Sequence, residues 1–301
     1  MTEQELDLAA LKHAKLHIGA FAWPTVVLGV VVTSLYFATP FLVQAGALPF
    51  WAGALLMSAL TYAAYTALHE SVHGSISGSR QQLRWINEAV GYLSALVMGI
   101  PLTAHRHSHL AHHRHTNEAD NDPDYLVREL TRSPLSAVRV AVEAMAHNYR
   151  HYLRKRWTQG KRSQNLAFCF EIAASLALRV VIIMLTDPVV TLALFLLAAV
   201  GGLVMLVFLF AYVVHHPYEE VGRYVDTSTI IAPRPINSAL TWAWLFQNYH
   251  SIHHLFPRVP FYQYRKLFEA IEPIMLARGA PIFKLGLQGL ERRVAETAAA
   301  T

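Results

Sequence analysis

The chain has very little cysteine and few charged residues, and both shortages narrow the classes of protein to which it can belong. Its only cysteine is Cys169, so neither a disulfide framework nor a cysteine-based metal site is expected. Charged residues make up only 15% of the 301 residues and hydrophobic residues 54%, which is too apolar for an ordinary soluble domain. Because no Cys cluster or Gly-rich dinucleotide turn occurs, we expect no fused redox module. The sequence shows neither a basic helix nor an aromatic base-stacking platform, so nothing in it indicates nucleic-acid binding.

Four stretches are apolar enough to cross a bilayer core of roughly 30 Å, which takes about 20 helical residues. We predict membrane-spanning helices at 23–42, 45–68, 166–186 and 189–214. A further apolar segment, 83–102, contains Arg84, Asn87 and Glu88, so we predict an interfacial or re-entrant helix there. The sequence therefore predicts an all-α, polytopic membrane protein that forms a single domain over residues 1–301, with a helical cap on the cytoplasmic side.

The basic residues are distributed unevenly along the chain. With a cytoplasmic N-terminus, 24 of the 25 Lys and Arg residues fall on the cytoplasmic side, and the remaining one, Arg179, lies inside the third predicted span. The two short connections on the opposite side, at 43–44 and 187–188, carry none. Such a bias is typical of loops that stay inside the cell. We therefore predict cytoplasmic N- and C-termini, with the protein in a bacterial inner membrane.

Three histidine clusters lie where apolar segments give way to polar sequence. They are His69-Glu-Ser-Val-His73, His109-Leu-Ala-His112-His113 and His250-Ser-Ile-His253-His254. Residues three or four positions apart share one helix face, so each cluster can bind a metal. Eight imidazoles are too many for one ion and suit two, and ligation by nitrogen alone indicates iron and dioxygen chemistry. The predicted topology brings all three clusters to the cytoplasmic face.

The sequence around the second and third clusters is distinctive. It reads His112-His113-Arg114-His115-Thr116-Asn117, then Asp122-Pro123-Asp124, and later Asn248-Tyr249-His250-Ser251-Ile252-His253-His254-Leu255-Phe256-Pro257. With these motifs and its four predicted spans, the chain resembles the membrane fatty acid desaturase superfamily, which includes carotenoid hydroxylases and ketolases and alkane hydroxylases. The resemblance covers nearly the whole chain. Many acyl-CoA desaturases have Asn four residues before a histidine that follows the fourth span, and this chain has Ala211 there.

The resemblance implies a non-haem di-iron centre, with no catalytic group expected beyond its metal ligands. Zinc can take the place of iron in purified protein, because imidazole also suits zinc. His215, just after the fourth predicted span, completes the boxed histidines, with His216 as the alternative. The implied ligands are His69, His73, His109, His112, His113, His215, His250, His253 and His254.

Two further sets of residues are expected to support this centre. Polar side chains near the boxes are expected to orient the imidazoles through hydrogen bonds. They are Glu70, Asp122, Asp124, Asp226 and Asn248. Residues one turn before His69 and His215 share faces with ligands and are expected to border the substrate route. They are Tyr65, Thr66, Ala211 and Tyr212. Asp122 and Asp124 also fit a role as turn formers, and the tyrosines fit interfacial anchoring.

The implied activity is O2-dependent oxidation of a long apolar substrate, with fatty acyl desaturation as the leading reaction. Carotenoid ring hydroxylation or ketolation is the nearest alternative, followed by hydroxylation of alkanes or lipids. A membrane metal transporter is a remote alternative, because its sites normally lie near the bilayer midplane and these spans contain no histidine. Turnover needs external electrons, so a ferredoxin, rubredoxin or cytochrome-type donor and its reductase are expected partners. Lys and Arg residues form clusters on the predicted cytoplasmic side. Such clusters fit an electron donor, and they fit membrane lipid headgroups equally well.

Overall fold

The computed structural model describes residues 1–286 and 288–293, and most of these residues are helical. The α-helices are α1 (Glu3–Lys15), α2 (Trp23–Gln44), α3 (Phe50–His73), α4 (Arg84–Met98), α5 (Leu102–His115), α6 (Pro134–Lys155), α7 (Arg162–Leu185), α8 (Pro188–Met205), α9 (Val213–His215), α10 (Asn237–Ala243), α11 (His250–Leu255) and α12 (Tyr264–Ala277). A π-helical segment, Leu206–Tyr212, joins α8 to α9. Short 3-10 helices lie at Gln81–Leu83, Tyr125–Glu129, Gln247–Tyr249 and Phe261–Gln263.

Within the described part of the chain, four helices are long and apolar enough to cross a membrane. They are α2, α3, α7 and the continuous helix Pro188–His215 that α8, the π segment and α9 form together. The second helix begins later than the predicted 45–68, because Gly46 has a φ of 71° and Pro49 precedes the first helical residue. Proline is tolerated at a helix start because it has no N–H to donate. The helix also ends later than predicted, at His73, so His69 lies inside it and not beyond its end.

Helix α3 lies at the centre of the apolar part and packs against α2, α4 and α8. Its contact with α8 is close because small residues face each other. A Cβ on Gly202 would lie 2.4 Å from Cγ2 of Thr61, and a Cβ on Gly201 would lie 2.4 Å from Oγ of Ser58. In a membrane no hydrophobic effect draws helices together. Small residues let the helices approach closely enough for van der Waals contacts to hold them. This packing fixes the end of α3 beside the end of the fourth long helix.

Helices α4 and α5 meet at a bend of 98°, so this pair is either a broken span or a re-entrant loop. Gly99, with a φ of 65°, ends α4, and Pro101 precedes α5. The first turn of α5 is tied to α7, because the Thr103 backbone N–H donates to a Glu171 carboxylate oxygen at 3.1 Å. A carboxylate at a helix N-terminus satisfies free N–H groups and complements the helix dipole. The bend therefore aims the histidine-rich helix back toward α3.

The remaining segments pack around α12. Its buried face, including Leu267 and Ile271, shares a core with Ile252 of α11 and Ala10 of α1. A three-stranded sheet, absent from the all-α prediction, lies beside it: β1 (Thr229–Ile231) pairs in parallel with β2 (Ile282–Gly286), which pairs antiparallel with β3 (Gly289–Arg292). The backbone N–H of Ser228, just before β1, donates to the carbonyl of Val214 at 2.8 Å. This region is thereby fastened to the end of the fourth long helix.

Candidate metal centre

Four helix ends bring histidines together. His69 and His73 lie in the last turns of α3, and His215 is the last residue of α9. The second cluster occupies the last two turns of α5, and the third occupies α11. Helix α10 does not run into the third cluster, because Leu245 and Phe246 adopt positive φ values of 50° and 62° and end it. The short α11 can therefore turn its imidazoles toward α3 and α5.

Five histidines form one group whose nitrogen atoms lie within 4.8 Å of one another: His69, His73, His109, His113 and His253. The Nε2 atom of His109 lies 2.8 Å from that of His73 and 3.0 Å from that of His113. Nε2 of His253 lies 2.8 Å from Nε2 of His113. Both ring nitrogens of His69 are buried and have no hydrogen-bond partner among the residues that the structure describes. A buried imidazole without any partner is costly unless something else binds it.

A second group contains His112, His215 and His254. Nε2 of His215 lies 3.1 Å from Nε2 of His112 and 3.3 Å from Nε2 of His254. His250 lies outside both groups but close to the second, with its ring centroid 5.0 Å from that of His215. Eight of the nine predicted ligands thus fall into two groups, and the predicted role of His250 stays a prediction. Of the two adjacent candidates, His215 joins a group and His216 does not.

The groups do not follow the order of the clusters in the sequence. His112 and His113 are neighbours in the chain but join different groups, as do His253 and His254. Adjacent residues on a helix point about 100° apart, since a helix has 3.6 residues per turn. Each HxxHH cluster therefore contributes to both groups, whereas the sequence predicted that each cluster could bind a metal.

The geometry fits a metal ion in each group. Imidazole nitrogens bind transition metals at about 2.0–2.1 Å, and two such nitrogens at right angles are then roughly 3 Å apart. The Nε2 separations in both groups range from 2.8 to 3.3 Å. A single pair of imidazoles can share an N–H···N hydrogen bond at this distance, whereas a metal ion would satisfy all the nitrogens of a group at once. The donor set contains imidazole nitrogen alone, which suits iron and zinc.

The outer nitrogens of several imidazoles have partners that fix their orientation. Nδ1 of His112 lies 2.8 Å from Oδ1 of Asp122. Nδ1 of His215 donates to the Ala211 carbonyl at 2.8 Å. Nδ1 of His253 lies 2.9 Å from the Tyr264 hydroxyl, which in turn donates to Glu70 at 3.0 Å. When Nδ1 carries the proton, Nε2 keeps its lone pair for a metal.

The other predicted supporting residues have looser contacts. Asp124 lies 3.8 Å from Nδ1 of His112 and 3.1 Å from Nε2 of His147, a residue of α6. Asp226 lies 3.7 Å from Nδ1 of His254, beyond hydrogen-bond distance. Asn248 donates instead to the Ile230 carbonyl at 3.0 Å, which holds β1 against the turn before α11. Their supporting roles stay predictions.

Burial keeps the imidazoles of α11 neutral. Desolvation, together with neighbouring imidazoles, lowers the pKa of His250, His253 and His254 well below its usual value. Burial opposes ionisation of Asp122, but the adjacent His112 and two backbone N–H groups outweigh it and lower the carboxyl pKa. A neutral imidazole is the form that binds a metal, so the three histidines of α11 are already in that form.

A cavity of about 150 Å³ opens beside the histidines and is lined mainly by apolar side chains. It borders His109, His112, His215 and His250, and its far wall includes Leu203 and Val207 of the fourth long helix. Of the residues predicted for the substrate route, Tyr65 and Ala211 line this cavity. Thr66 is fully buried elsewhere, and the Tyr212 hydroxyl shares a hydrogen bond of 2.6 Å with Thr131.

Several residues that contact the site had no signal in the sequence. Tyr264 stands outside every motif, and Gln247, whose Oε1 lies 3.1 Å from Nδ1 of His250, has no spacing that marks it. Phe210 packs against His69, with ring centroids 5.0 Å apart. His105 is also buried, and its ring stacks on that of His109 with centroids 5.3 Å apart. Its spacing of four residues from His109 was the one available signal.

A profile of the fatty acid desaturase family matches residues 45–286 of this chain. The chain belongs to that family. It is 25% identical over 245 residues to the fatty acid conjugase FAC2 A of Calendula officinalis, an alignment covering 69% of this chain and 63% of the relative. It is 25% identical over 244 residues to a Delta(9) fatty acid conjugase-like enzyme of Dimorphotheca sinuata, covering 69% and 64%.

A third relative is similar over a comparable length. The chain is 25% identical over 250 residues to an sn-1 acyl-lipid omega-3 desaturase (ferredoxin) of Nostoc sp. (strain 36), covering 75% of this chain and 67% of the relative. The match to the conjugases spans less than two thirds of their length. The family match confirms the resemblance found in the sequence, and four of the described helices are long and apolar enough to cross a membrane.

Proposed function

We propose that this protein is an O2-dependent, di-iron oxidoreductase that introduces a double bond into a fatty acyl lipid. The observation that carries the proposal is the pair of histidine groups, buried and partly unpartnered, beside an apolar cavity in a member of the desaturase family. Two iron ions, when bound, would supply the O2 activation that removal of hydrogen from an unactivated C–H bond needs. The relatives named for acyl lipids and fatty acids support an acyl chain as the substrate.

The chain's own residues would hold the iron ions and position the substrate. We assign His69, His73, His109, His113 and His253 to one ion and His112, His215 and His254 to the other, with His250 at their border. Tyr264, Asp122 and the Ala211 carbonyl keep the outer nitrogens engaged. Phe210 and Tyr65 line the cavity and pack on His69, so an acyl chain lying on them would be close to the ligands.

The proposed reaction balances with an external electron supply. Forming a double bond takes two hydrogens from adjacent carbons, and reducing one O2 to two waters takes two further electrons and two protons. The apolar cavity wall, with Leu203 and Val207, would exclude other water from the reacting carbons.

Product analysis tests the substrate class. We expect expression in one host that makes both β-carotene and ordinary membrane lipids to yield newly unsaturated acyl chains, measured by gas chromatography with mass spectrometry. Unchanged fatty acids together with hydroxylated or ketolated carotenoid would contradict acyl desaturation and favour the carotenoid reaction. The His253→Ala variant, expressed to the same level, is the control for host background.

We further propose that a separate electron carrier docks near the start of α12. Lys266 is exposed there, two residues from Tyr264, whose hydroxyl contacts His253. Electron carriers of the ferredoxin type are commonly acidic, and a relative named as ferredoxin-dependent supports such a donor. Opposite charges would speed encounter, an effect that is screened over roughly 8 Å at physiological salt.

Charge reversal at this surface should separate electron supply from chemistry. We expect Lys266→Glu to lower turnover severalfold with a reduced ferredoxin, and less so at high salt, while sparing turnover driven by peroxide. Lys284→Glu on β2 makes the same change of charge on another exposed residue and is the matched control. Equal losses with ferredoxin and peroxide would show that Lys266 serves the fold.

We also propose that both termini and the histidine groups lie on the cytoplasmic side. The uneven distribution of Lys and Arg supports this orientation. We expect a green fluorescent protein fused after residue 160 to fluoresce and an alkaline phosphatase fused there to be inactive, with reversed signals for fusions after residue 46. An active phosphatase after residue 160 would contradict the orientation.

A further inference from the structure

Helix α6 has two different apolar faces, although it is outside the four long membrane helices. One face, with Val140 and Ala144, is turned inward and lines the cavity. The opposite face carries a row of exposed aliphatic side chains at helical spacing, which we call the α6 stripe: Leu135 (78% exposed), Val138 (60%), Val142 (59%), Met145 (58%) and Leu153 (50%). An amphipathic helix in a soluble protein normally exposes its polar face instead. We therefore expect another apolar surface to cover the α6 stripe.

Helix α6 packs against two of the long apolar helices. Val140 shares a buried cluster with Val207 of the π segment. At the other end of α6, Tyr152 stacks on Phe168 of α7, with ring centroids 4.6 Å apart. Helix α6 therefore runs across the outside of the bundle from the fourth long helix to the third.

These contacts fix the level of α6 relative to the spans. Val207 lies eight residues before the end of the fourth long helix at His215, which is at most about 12 Å along the axis because part of this stretch is π-helical. Phe168 lies six residues inside α7, or about 9 Å. Interfacial helices typically bury their apolar side by about 5–10 Å at the boundary of headgroups and acyl chains. Helix α6 is thus level with the outer turns of the spans and not above them.

The charges of α6 match an anionic lipid surface. It carries Arg139, Arg150, Arg154 and Lys155 but only one acidic residue, Glu143, which is paired with Arg150. Trp157, just beyond its end, is 38% exposed. Long basic side chains extend toward headgroups while their stems stay in apolar surroundings, and Trp is enriched at the same level of a membrane.

We propose that α6 is an interfacial helix that lies in the leaflet on the histidine side of the membrane. The α6 stripe faces the acyl chains, and the basic residues face the headgroups. The stripe continues the lipid-exposed surface of α7, where Leu166 is 61% exposed and Phe170 72%. Continuity with that surface favours lipid over a soluble protein as the covering partner.

The position of α6 also bears on how a substrate reaches the histidines, and this part of the inference rests on the proposed function. Because α6 forms one wall of the cavity and its other side faces lipid, the cavity lies within one helix thickness of the bilayer. A substrate already in the leaflet would reach the histidines by passing between α6 and the fourth long helix. The α6 stripe thus anchors the wall that an entering lipid must pass.

Depth-dependent fluorescence quenching tests the position of α6 without any measurement of activity. Cys169→Ser removes the only cysteine, so a single cysteine introduced at Val142 or Leu153 can carry an environment-sensitive fluorophore. Arg154→Cys is the matched control, because it is next to Leu153 but points about 100° away on the helix. The labelled proteins are reconstituted into vesicles of phosphatidylcholine and phosphatidylglycerol, with either a lipid bearing a nitroxide high on its acyl chain or aqueous iodide as quencher.

We expect the nitroxide lipid to quench labels at residues 142 and 153 severalfold more than the label at residue 154, and iodide to show the opposite order. Iodide quenching at residue 142 equal to that at residue 154 would place the stripe in water and overturn the proposal. Labels at both stripe positions shielded from both quenchers would also overturn it, in favour of a second copy or another protein. Two stripe positions keep the test decisive if one variant does not fold. Because no turnover is measured, failure of the proposed reaction would leave this result intact.

Discussion

Replacing one histidine of each group with alanine is expected to remove metal and abolish turnover. His112→Ala takes a nitrogen from the group of three, and His253→Ala takes one from the group of five. Loss of residues that only support a ligand typically costs 10–100-fold in metal affinity or activity, so loss of a ligand should cost more than about 100-fold in turnover. Iron and zinc per chain, measured by mass spectrometry on detergent-purified protein, should fall from about two in the parent chain.

The control for these variants is His13→Ala, which changes a histidine of α1 outside both groups. We expect it to keep both the metal content and the turnover of the parent chain. Zinc found in place of iron would not contradict the site, because imidazole ligands accept both metals. Full activity in His112→Ala or in His253→Ala would contradict the assignment of the metal centre.

The second large effect is expected from Tyr264→Phe. This change removes the hydroxyl that joins Glu70 to Nδ1 of His253 while keeping the aromatic ring in the core. His253 would lose the partner that fixes its ring, and Glu70 would keep its bonds from the Ser75 hydroxyl and the Phe261 backbone N–H. Losing the hydrogen-bond partner of a metal ligand typically weakens metal binding about 10–100-fold. Metal retention against a graded chelator measures the effect.

Tyr262→Phe is the matched control, because it removes a hydroxyl two residues away that has no hydrogen bond to the site among the described residues. We expect its metal retention to equal that of the parent chain. Thermal unfolding of the metal-loaded proteins in detergent separates a weakened site from a damaged fold. Equal chelator resistance in Tyr264→Phe and Tyr262→Phe would show that the hydroxyl does not support the metal centre.

The sequence predicted the four long apolar helices well but missed the smaller elements. The third predicted span, 166–186, differs from α7 (Arg162–Leu185) by a few residues, because hydropathy over a long window measures the driving force for membrane insertion directly. The helix at Pro134–Lys155 was not predicted, although apolar side chains recur along it at helical spacing, because its basic residues keep its hydropathy below that of a membrane span. The sheet formed by Thr229–Ile231 and Ile282–Gly286 depends on pairing across about 50 residues, which no local pattern reports.

The sequence alone determined which imidazoles can act together and on which helix ends they lie. Spacings of three and four residues fix neighbours on a helix face, and that rule is local. Only the tertiary structure decided how the histidines divide. His112 joins His215 and His254, whereas His113 joins the other group, because the packing of α5 between α3 and α11 turns adjacent imidazoles toward different partners. Tyr264 is likewise a partner of His253 only because α12 packs against α11. The two residues lie on different helices, and no sequence periodicity links them.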